Sequence, residues 1–403
     1  MRTLGMAAAL AAVALMSAAA SAFAADKKYG PGVTDTEIKI GSTMPYSGPA
    51  SAIAVIGKVQ AAYFTKINDE GGVNGRKINL ISYDDGFNPA KTMEQTRKLI
   101  EGDDVLLTFS QIGLLPNAAI QKYLNSKQVP HLFVMTGATR FGDPKNYPWT
   151  IGWYPSYHGE AQLYGQFIRE RYPNAKIALF SGNDDAGRDL VSGFKAGLGD
   201  KAGMIVAEKT YELQDPTVDS QIVTLKASGA DLFMSFGGLR PAVQAIKKVA
   251  ELGWKPVYFQ DGAAAQIASA LEYAKGVISA GFVKEPSDPV WKDDPAMKAY
   301  VAFMDKYAPG FDKNTSGSVW GYATAQTLVQ VLKQCGDDLT RDNVMKQTLS
   351  LKDLSFDIFL PGVTINTSPT NYFPVSQEQF MQYDGQSWRP IGSVLRVSSP
   401  PSE

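Results

Sequence analysis

Short apolar strands alternate with amphipathic helices through nearly the whole chain, and that alternation constrains the fold more than any other feature. Glu37-Ile38-Lys39-Ile40-Gly41 opens a strand that runs into the turn formers Met44–Pro49. Val55, Val59, Ala62, Tyr63 and Ile67 then fall at helical spacing, and Gly71-Gly72 ends that helix. Asn74-Gly75 turns into a strand over Ile78–Tyr83, closed by Asp84-Asp85. Asn88 is placed to cap the next helix, with Pro89 at its first position. Strand Val105–Phe109, helix Ala118–Leu124 and strand His131–Met135 follow, and the alternation restarts after an aromatic crossover at Trp149–Tyr157. The second series runs from helix Gln162–Arg171 through strands Ile177–Phe180, Met204–Lys209, Leu232–Phe236 and Val257–Phe259. Two long helical patterns, Met297–Tyr307 and Ser318–Gln334, precede a tail of short strands and turns over Pro361–Val397. Such alternation implies parallel sheets with helices on both faces.

The N-terminus reads as an export signal. Arg2 precedes an apolar run from Met6 to Ala20, and Ala22-Phe23-Ala24 offers small residues to a signal peptidase. Cleavage after Ala24 is expected, giving a periplasmic protein. No cysteine follows to accept a lipid anchor. Beyond residue 24 no stretch approaches the ~18–20 apolar residues of a membrane span.

Composition narrows the chemistry. The 403 residues carry 39 Lys+Arg against 40 Asp+Glu, which gives no basic footprint for nucleic acid. The single cysteine, Cys335, excludes an intrachain disulfide and a Cys-based zinc site. Neither a G-x-x-x-x-G-K-[ST] loop, a G-x-S-x-G elbow nor an H-E-x-x-H motif occurs, and only His131 and His158 could serve a triad. Asp84-Asp85 and Asp184-Asp185 are adjacent residues at strand ends, whose side chains diverge, so neither pair forms a ready acid–base dyad. The pattern speaks against an enzyme and implies no metal or cofactor.

In doubly wound sheets ligands lie beyond the carboxyl ends of the strands. The segments found there are Tyr46-Ser47, Ser110-Gln111-Ile112-Gly113 and Thr136-Gly137-Ala138-Thr139. They combine hydroxyl or amide side chains with glycine, and the second leads into a helix N-terminus, an arrangement suited to a carboxylate.

At this point the chain resembles the branched-chain amino acid-type periplasmic binding proteins, the solute receptors of ABC importers. The resemblance rests on Ile38–Gly41 with Ser47-Gly48-Pro49, on the run Ile67–Ile78, on Tyr83-Asp84-Asp85 with Asn88-Pro89, and on Asn183–Arg188 and Gly237-Gly238. It implies a type I periplasmic binding protein fold, two doubly wound α/β lobes joined by a three-segment hinge with crossovers near 153, 284 and 360. Lobe one would take 33–153 plus 284–360, and lobe two 154–283 plus 361–397. It further implies that Gln111, Ile112, Gly113, Gly137 and Thr139 bind a solute carboxylate, with Ser47 and Ala138 beside them. Asp261 stands where an acidic residue of the family pairs with the ammonium of an amino acid. Two aromatics usual in lobe two are replaced by Ala186 and Leu239, which would widen the pocket.

The segments Gly281–Pro289 and Leu360–Pro369 resemble the subgroup that takes aromatic acids. There Trp153, Tyr154, Trp320 and Tyr322 would be available to stack on a ring. The expected function is capture of a small carboxylate, an amino acid or an aromatic acid, and its delivery to an inner-membrane permease. The alternative is an exported ligand-sensing subunit of a signalling system.

Overall fold

The computed structural model describes residues 27–48, 50–212, 214–262 and 272–397; the expected leader lies outside them. The strands are β1 (Lys28–Tyr29), β2 (Glu37–Met44), β3 (Lys77–Asp84), β4 (Leu107–Phe109), β5 (His131–Val134), β6 (Thr150–Gly152), β7 (Ile177–Gly182), β8 (Ile205–Tyr211), β9 (Leu232–Phe236), β10 (Val257–Gln260), β11 (Ile278–Gly281), β12 (Asp338–Leu339), β13 (Gln377–Tyr383) and β14 (Trp388–Arg396). The helices are α1 (Val55–Asp69), α2 (Pro89–Arg97), α3 (Leu114–Ser126), α4 (Tyr157–Arg171), α5 (Asp185–Leu198), α6 (Asp219–Ala227), α7 (Leu239–Glu251), α8 (Pro295–Tyr307), α9 (Ser316–Cys335) and α10 (Arg341–Thr348).

Two sheets organise two lobes. Lobe one has the order β3-β2-β4-β5-β6, every neighbour parallel. Lobe two has the order β14-β13-β11-β10-β9-β7-β8, in which β8 to β11 are parallel and the β13–β14 hairpin joins antiparallel at the edge. In both, the first strand of the lobe lies between the second and the third, so the winding reverses direction beside it. That reversal is the topological switch point of a doubly wound sheet.

Local sequence explains the elements. The Asn88 side chain accepts from the amides of Ala90 and Lys91, with Pro89 in the first turn, as the spacing predicts. Asn68 exchanges two hydrogen bonds with the Ile78 backbone, tying the end of α1 to the start of β3. Gly72 has a φ of 79°, and a Cβ there would lie 2.2 Å from the Arg76 carbonyl oxygen, so only glycine fits the turn between them. Buried Arg76 bonds Tyr29 and Asp337, each at 2.7 Å. The run Ile67–Ile78 is therefore a structural clasp.

Three segments cross between the lobes. Phe282–Lys284 and Ile358–Leu360 run antiparallel, with the Lys284 amide donating to Ile358 and the Leu360 amide donating to Phe282. The third, Gly152–Tyr154, places the Trp153 ring 5.6 Å from Phe282 and 6.4 Å from Phe359. Helix α3 begins at Leu114, earlier than its apolar spacing suggests, because Gly113 with φ 95° turns the chain straight into it. Val363–Asn366 is not a strand; Ile365 makes only isolated bridges to Leu354 and Val375.

In lobe two, α4 and α5 touch through glycines. A Cβ on Gly193 would lie 2.0 Å from the His158 carbonyl oxygen, and one on Gly165 would lie 2.4 Å from that of Phe194. This crossing brings His158 beside Asp189. Gly193→Ala is expected to push the helices apart at a cost of about 1–3 kcal/mol. Urea denaturation checks it, and an unchanged midpoint would mean that the crossing is loose.

Candidate functional site

The carboxyl ends of both sheets face one another beside the hinge, and the expected site residues distribute unevenly around them. Ser47 is exposed, and both its amide and its hydroxyl donate to Asp84, at 3.0 and 2.6 Å. Lys91 also bonds Asp84, and these donors hold its carboxyl below the usual range. Ser47 is thus engaged within lobe one. The Gln111 side chain turns inward, fully buried, and donates to Thr43 and Thr96. That corrects its expected role as a side-chain ligand, since two hydroxyls of its own lobe already claim the amide. Ile112 bridges Met135, and Gly113 lies under the Phe87 ring, 2.5 Å from where its Cβ would be.

The loop Thr136–Thr139 meets lobe two directly. The Thr139 amide donates to the Asp189 carboxylate at 2.8 Å, and the buried Thr139 hydroxyl lies beside that carboxylate without a well-aligned hydrogen bond. The Tyr157 amide donates to the Gly137 carbonyl, while the Tyr157 ring covers Gly137, whose Cβ would lie 2.6 Å from it. Ala138 is buried in a small cluster with Val134 and Phe141. Burial pushes the Asp189 carboxyl up, opposed by the Thr139 amide, and lowers His158 against the pull of Asp189.

Trp153 is 0% exposed, its indole N–H donating to Thr327 at 3.4 Å, so the expectation that it stacks on a solute is overturned. Its neighbours in the hinge, Tyr154 with Phe282 and Phe359, enclose it completely. Tyr322 likewise packs into lobe one against Tyr63, Tyr300 and Phe303. Ala186 lies in the first turn of α5, half-buried; the Leu239 side chain lies outside the described residues. The lobe is not stripped of aromatics there. Tyr211, at the end of β8, accepts from the Gly238 amide at 2.8 Å and feels the charge of Asp261 and the ring of Tyr157. Neither tyrosine stands out in the sequence, because each is brought to the cleft by a strand or helix end rather than by a loop motif.

Asp261 is 4% exposed and accepts from the Gln260 amide at 2.7 Å. Burial, then the nearby Glu160 charge, raises its carboxyl well above the usual range. Glu160 accepts from the Gly262 amide at 2.7 Å and is pushed up to about 7 by burial. Glu378 is raised well above its usual value by burial and by Glu160 and Asp261.

Glu160, Glu285 and Glu378 line a small, half-enclosed cavity beside the hinge. Lobe one contributes Trp320; lobe two and the hinge contribute Tyr154, Tyr157, Ser279 and Trp388. The grooves elsewhere are more open to solvent, lined by surface residues such as Lys122 and Lys145 or Lys292 and Lys298. Among the described residues, none of the expected ligand residues lines the cavity itself; Gly137 and Asp261 lie directly behind Tyr157 and Gly262. No group of three or more His, Cys, Asp or Glu among the described residues is arranged to hold a metal ion.

Comparison with known proteins decides the family. The model of the family described as "Periplasmic binding protein" matches residues 37–387. The chain belongs to this family. A Leu/Ile/Val-binding protein homolog 1 of Brucella abortus is 26% identical over 333 residues, covering 80% of this chain and 86% of that one. The structure of a branched chain amino acid ABC transporter protein from Thermus thermophilus, with bound valine, superposes with a TM-score of 0.80 at 16% identity, over 90% and 97% of the chains. A solute binding protein of an ABC transporter from Rhodopseudomonas palustris BisB5, in complex with 3,4-dihydroxybenzoic acid, gives 0.76 at 20% identity, over 91% and 99%. At such identities these structures establish the fold, the type I periplasmic binding protein fold. As in the family, this periplasmic binding protein sets two doubly wound lobes on a three-segment hinge.

Proposed function

We propose that this periplasmic binding protein is the extracytoplasmic solute receptor of an ABC importer, exported through a cleaved leader over residues 1–24. It captures a small carboxylate, an amino acid or an aromatic acid, between lobe one (33–153 plus 284–360) and lobe two (154–283 plus 361–397). The hinge closes on the solute, and the closed form is presented to an inner-membrane permease. The observation that carries this reading is the half-enclosed hinge cavity walled by both lobes, Trp320 from one and Tyr157, Glu160 and Ser279 from the other. Closure buries the solute, as binding between domains generally requires. No covalent step enters.

In this reading the loop Gly137-Ala138-Thr139 receives the solute carboxylate, and Asp189 occupies that position in the solute's absence, at 2.8 Å from the Thr139 amide. Asp189→Ala removes the competitor. Its expected effect is roughly tenfold tighter binding of the carboxylate solute, about 1.4 kcal/mol, measured by calorimetry. Weaker binding would make Asp189 a solute ligand instead.

A thermal-shift screen against aliphatic amino acids, benzoates and cinnamates tests the reading as a whole. A solute at a hundredfold over its Kd stabilises the protein by about 2.7 kcal/mol. No shift with any carboxylate, or turnover of one that is bound, would overturn it.

A further inference from the structure

We propose that the cavity beside the hinge is a proton-operated switch: the lobes close on Glu160, Glu285 and Glu378 while these are uncharged, and their ionisation drives the lobes apart. The inference goes beyond solute capture and is independent of which solute is bound.

Carboxyls from both sides of the hinge line this one small space. Glu285 follows the crossover strand Phe282–Lys284 on the lobe-one side, while Glu160 on α4 and Glu378 on β13 belong to lobe two. Glu160 and Glu378 are each 3% exposed, and Glu285 is half-buried. The Ser316 hydroxyl donates to the Glu285 carboxyl at 2.9 Å, and the Gly262 amide donates to Glu160 at 2.7 Å. Three buried polar atoms on the cavity-lining residues have no hydrogen-bond partner: Oε2 of Glu378, Oγ of Ser279 and Nε1 of Trp320.

The room available decides what the cavity tolerates. With the lobes held together, the Thr139 amide on Asp189, it leaves the centres of water molecules about 30 Å³, the share of one or two waters in the liquid. That is enough to bridge Trp320, Ser279 and Glu378, and too little to hydrate three carboxylates. An ionised carboxyl that is neither hydrated nor paired with a cation is costly to keep out of water. The cavity therefore stays shut only while its carboxyls carry their protons. Rotation about the hinge takes Glu285 and Trp320 away with lobe one and opens Glu160 and Glu378 to solvent.

The groups that face the cluster from each flanking element are acids. Helix α4 brings Tyr157 and Tyr164, and Asp261 follows β10 with Tyr211 and Tyr258 in its field. The hinge adds Tyr154 and Asp288, α8 adds Tyr300 beside Glu285, and Tyr383 of β13 faces Asp288. Helix α9 and β11 present Ser316, Trp320 and Ser279, none of which titrates. The bases close to these elements are committed: Lys284 to Asp294 at 2.7 Å, Arg389 to Asp384 at 2.8 Å with a pull on Asp288, and His158 beside Asp189. No lysine, arginine or histidine lines the cavity, and Ala263–Leu271, which follows Gly262, contains none. In keeping with this geometry, burial pushes Glu160 and Glu285 up to about 7 and raises Glu378 well above the usual range. The closed form thus holds more protons than an open form whose carboxyls meet water, so rising pH favours opening.

Small-angle scattering of the solute-free protein, in steps from about pH 5 to about pH 8, tests this, with far-ultraviolet circular dichroism recorded on the same samples. The expected result is a compact particle at the acid end and a larger radius of gyration at the alkaline end, at unchanged circular dichroism. Glu285→Gln and Glu378→Gln, nearly isosteric and unable to ionise, should each move the midpoint of that expansion up by about one pH unit, and the double variant should stay compact throughout. Glu101→Gln, which removes a carboxyl from the surface of lobe one, should expand as the wild type does. Equal radii at both ends of the range in the wild type overturn the switch, and so does an expansion that the double variant retains. Expansion with loss of the circular dichroism signal is unfolding and overturns it too. Each of these failures leaves the receptor reading intact, because no solute is present in the experiment.

Discussion

Trp153→Ala is expected to cost about 3–5 kcal/mol, the usual range for deleting a fully buried large aromatic. The ring has 0% exposure and stands where all three crossover segments converge, against Tyr154, Phe282 and Phe359. Its loss would leave a cavity that neither lobe can collapse into without breaking the paired strands Phe282–Lys284 and Ile358–Leu360. The hinge should loosen as well as weaken, because those strands set the relative rotation of the lobes. Chemical denaturation measures the first effect, and small-angle scattering of the solute-free protein measures the second. Trp153→Phe separates packing from recognition. It retains most of the buried apolar volume, so it should keep solute affinity within about twofold, since Trp153 does not reach the cavity. If Trp153→Phe instead abolishes binding in a stable protein, the indole touches solute and the hinge-core assignment fails.

The contrast between Trp153 and Asn68 shows which parts of this protein are legible in its sequence. Alternating patterns, caps and glycine turns are local; they place most strands of the two α/β series and the Asn88 cap, but they miss β6, β11 and β14 and make a strand of Val363–Asn366, which is none. Asn68 and Gly72 sit within ten residues of what they touch, so their roles follow from short-range geometry. Site chemistry is assembled from far apart. Gln111 reads as an exposed loop amide until Thr43, 68 positions away, claims it. Thr139 finds Asp189 50 positions on, and Gly262 finds Glu160 102 positions back. Glu378 lies in a tail hairpin whose place at the edge of lobe two is a matter of register, and no local pattern places it beside Glu160.

The same acids lead to a pH dependence with an uncommon sign. Glu160 and Glu285 are each pushed up to about 7 from an ordinary 4.5, and Asp261 and Glu378 are raised further, in every case chiefly by burial. Between pH 4.5 and 7 the folded protein therefore holds more protons than the unfolded chain, and stability falls as pH rises through that window. His131 works in the opposite sense. Buried between Asn117 and Thr150, it is driven down to about 3 from 6.5, so the unfolded chain binds the extra proton between those values and stability rises with pH. The two effects oppose one another up to about pH 6.5. Above it His131 is neutral in both states, and only the carboxyls still titrate. Four carboxyls outweigh one histidine, so stability should fall steadily from about pH 5 to pH 8, at about 1.4 kcal/mol per unit for each net proton. Urea midpoints measured from pH 5 to 8 check this, with Glu160→Gln/Glu378→Gln expected to lose at least half of the alkaline decline. A profile that is flat or rising above pH 6.5 would mean that these carboxyls are hydrated or paired.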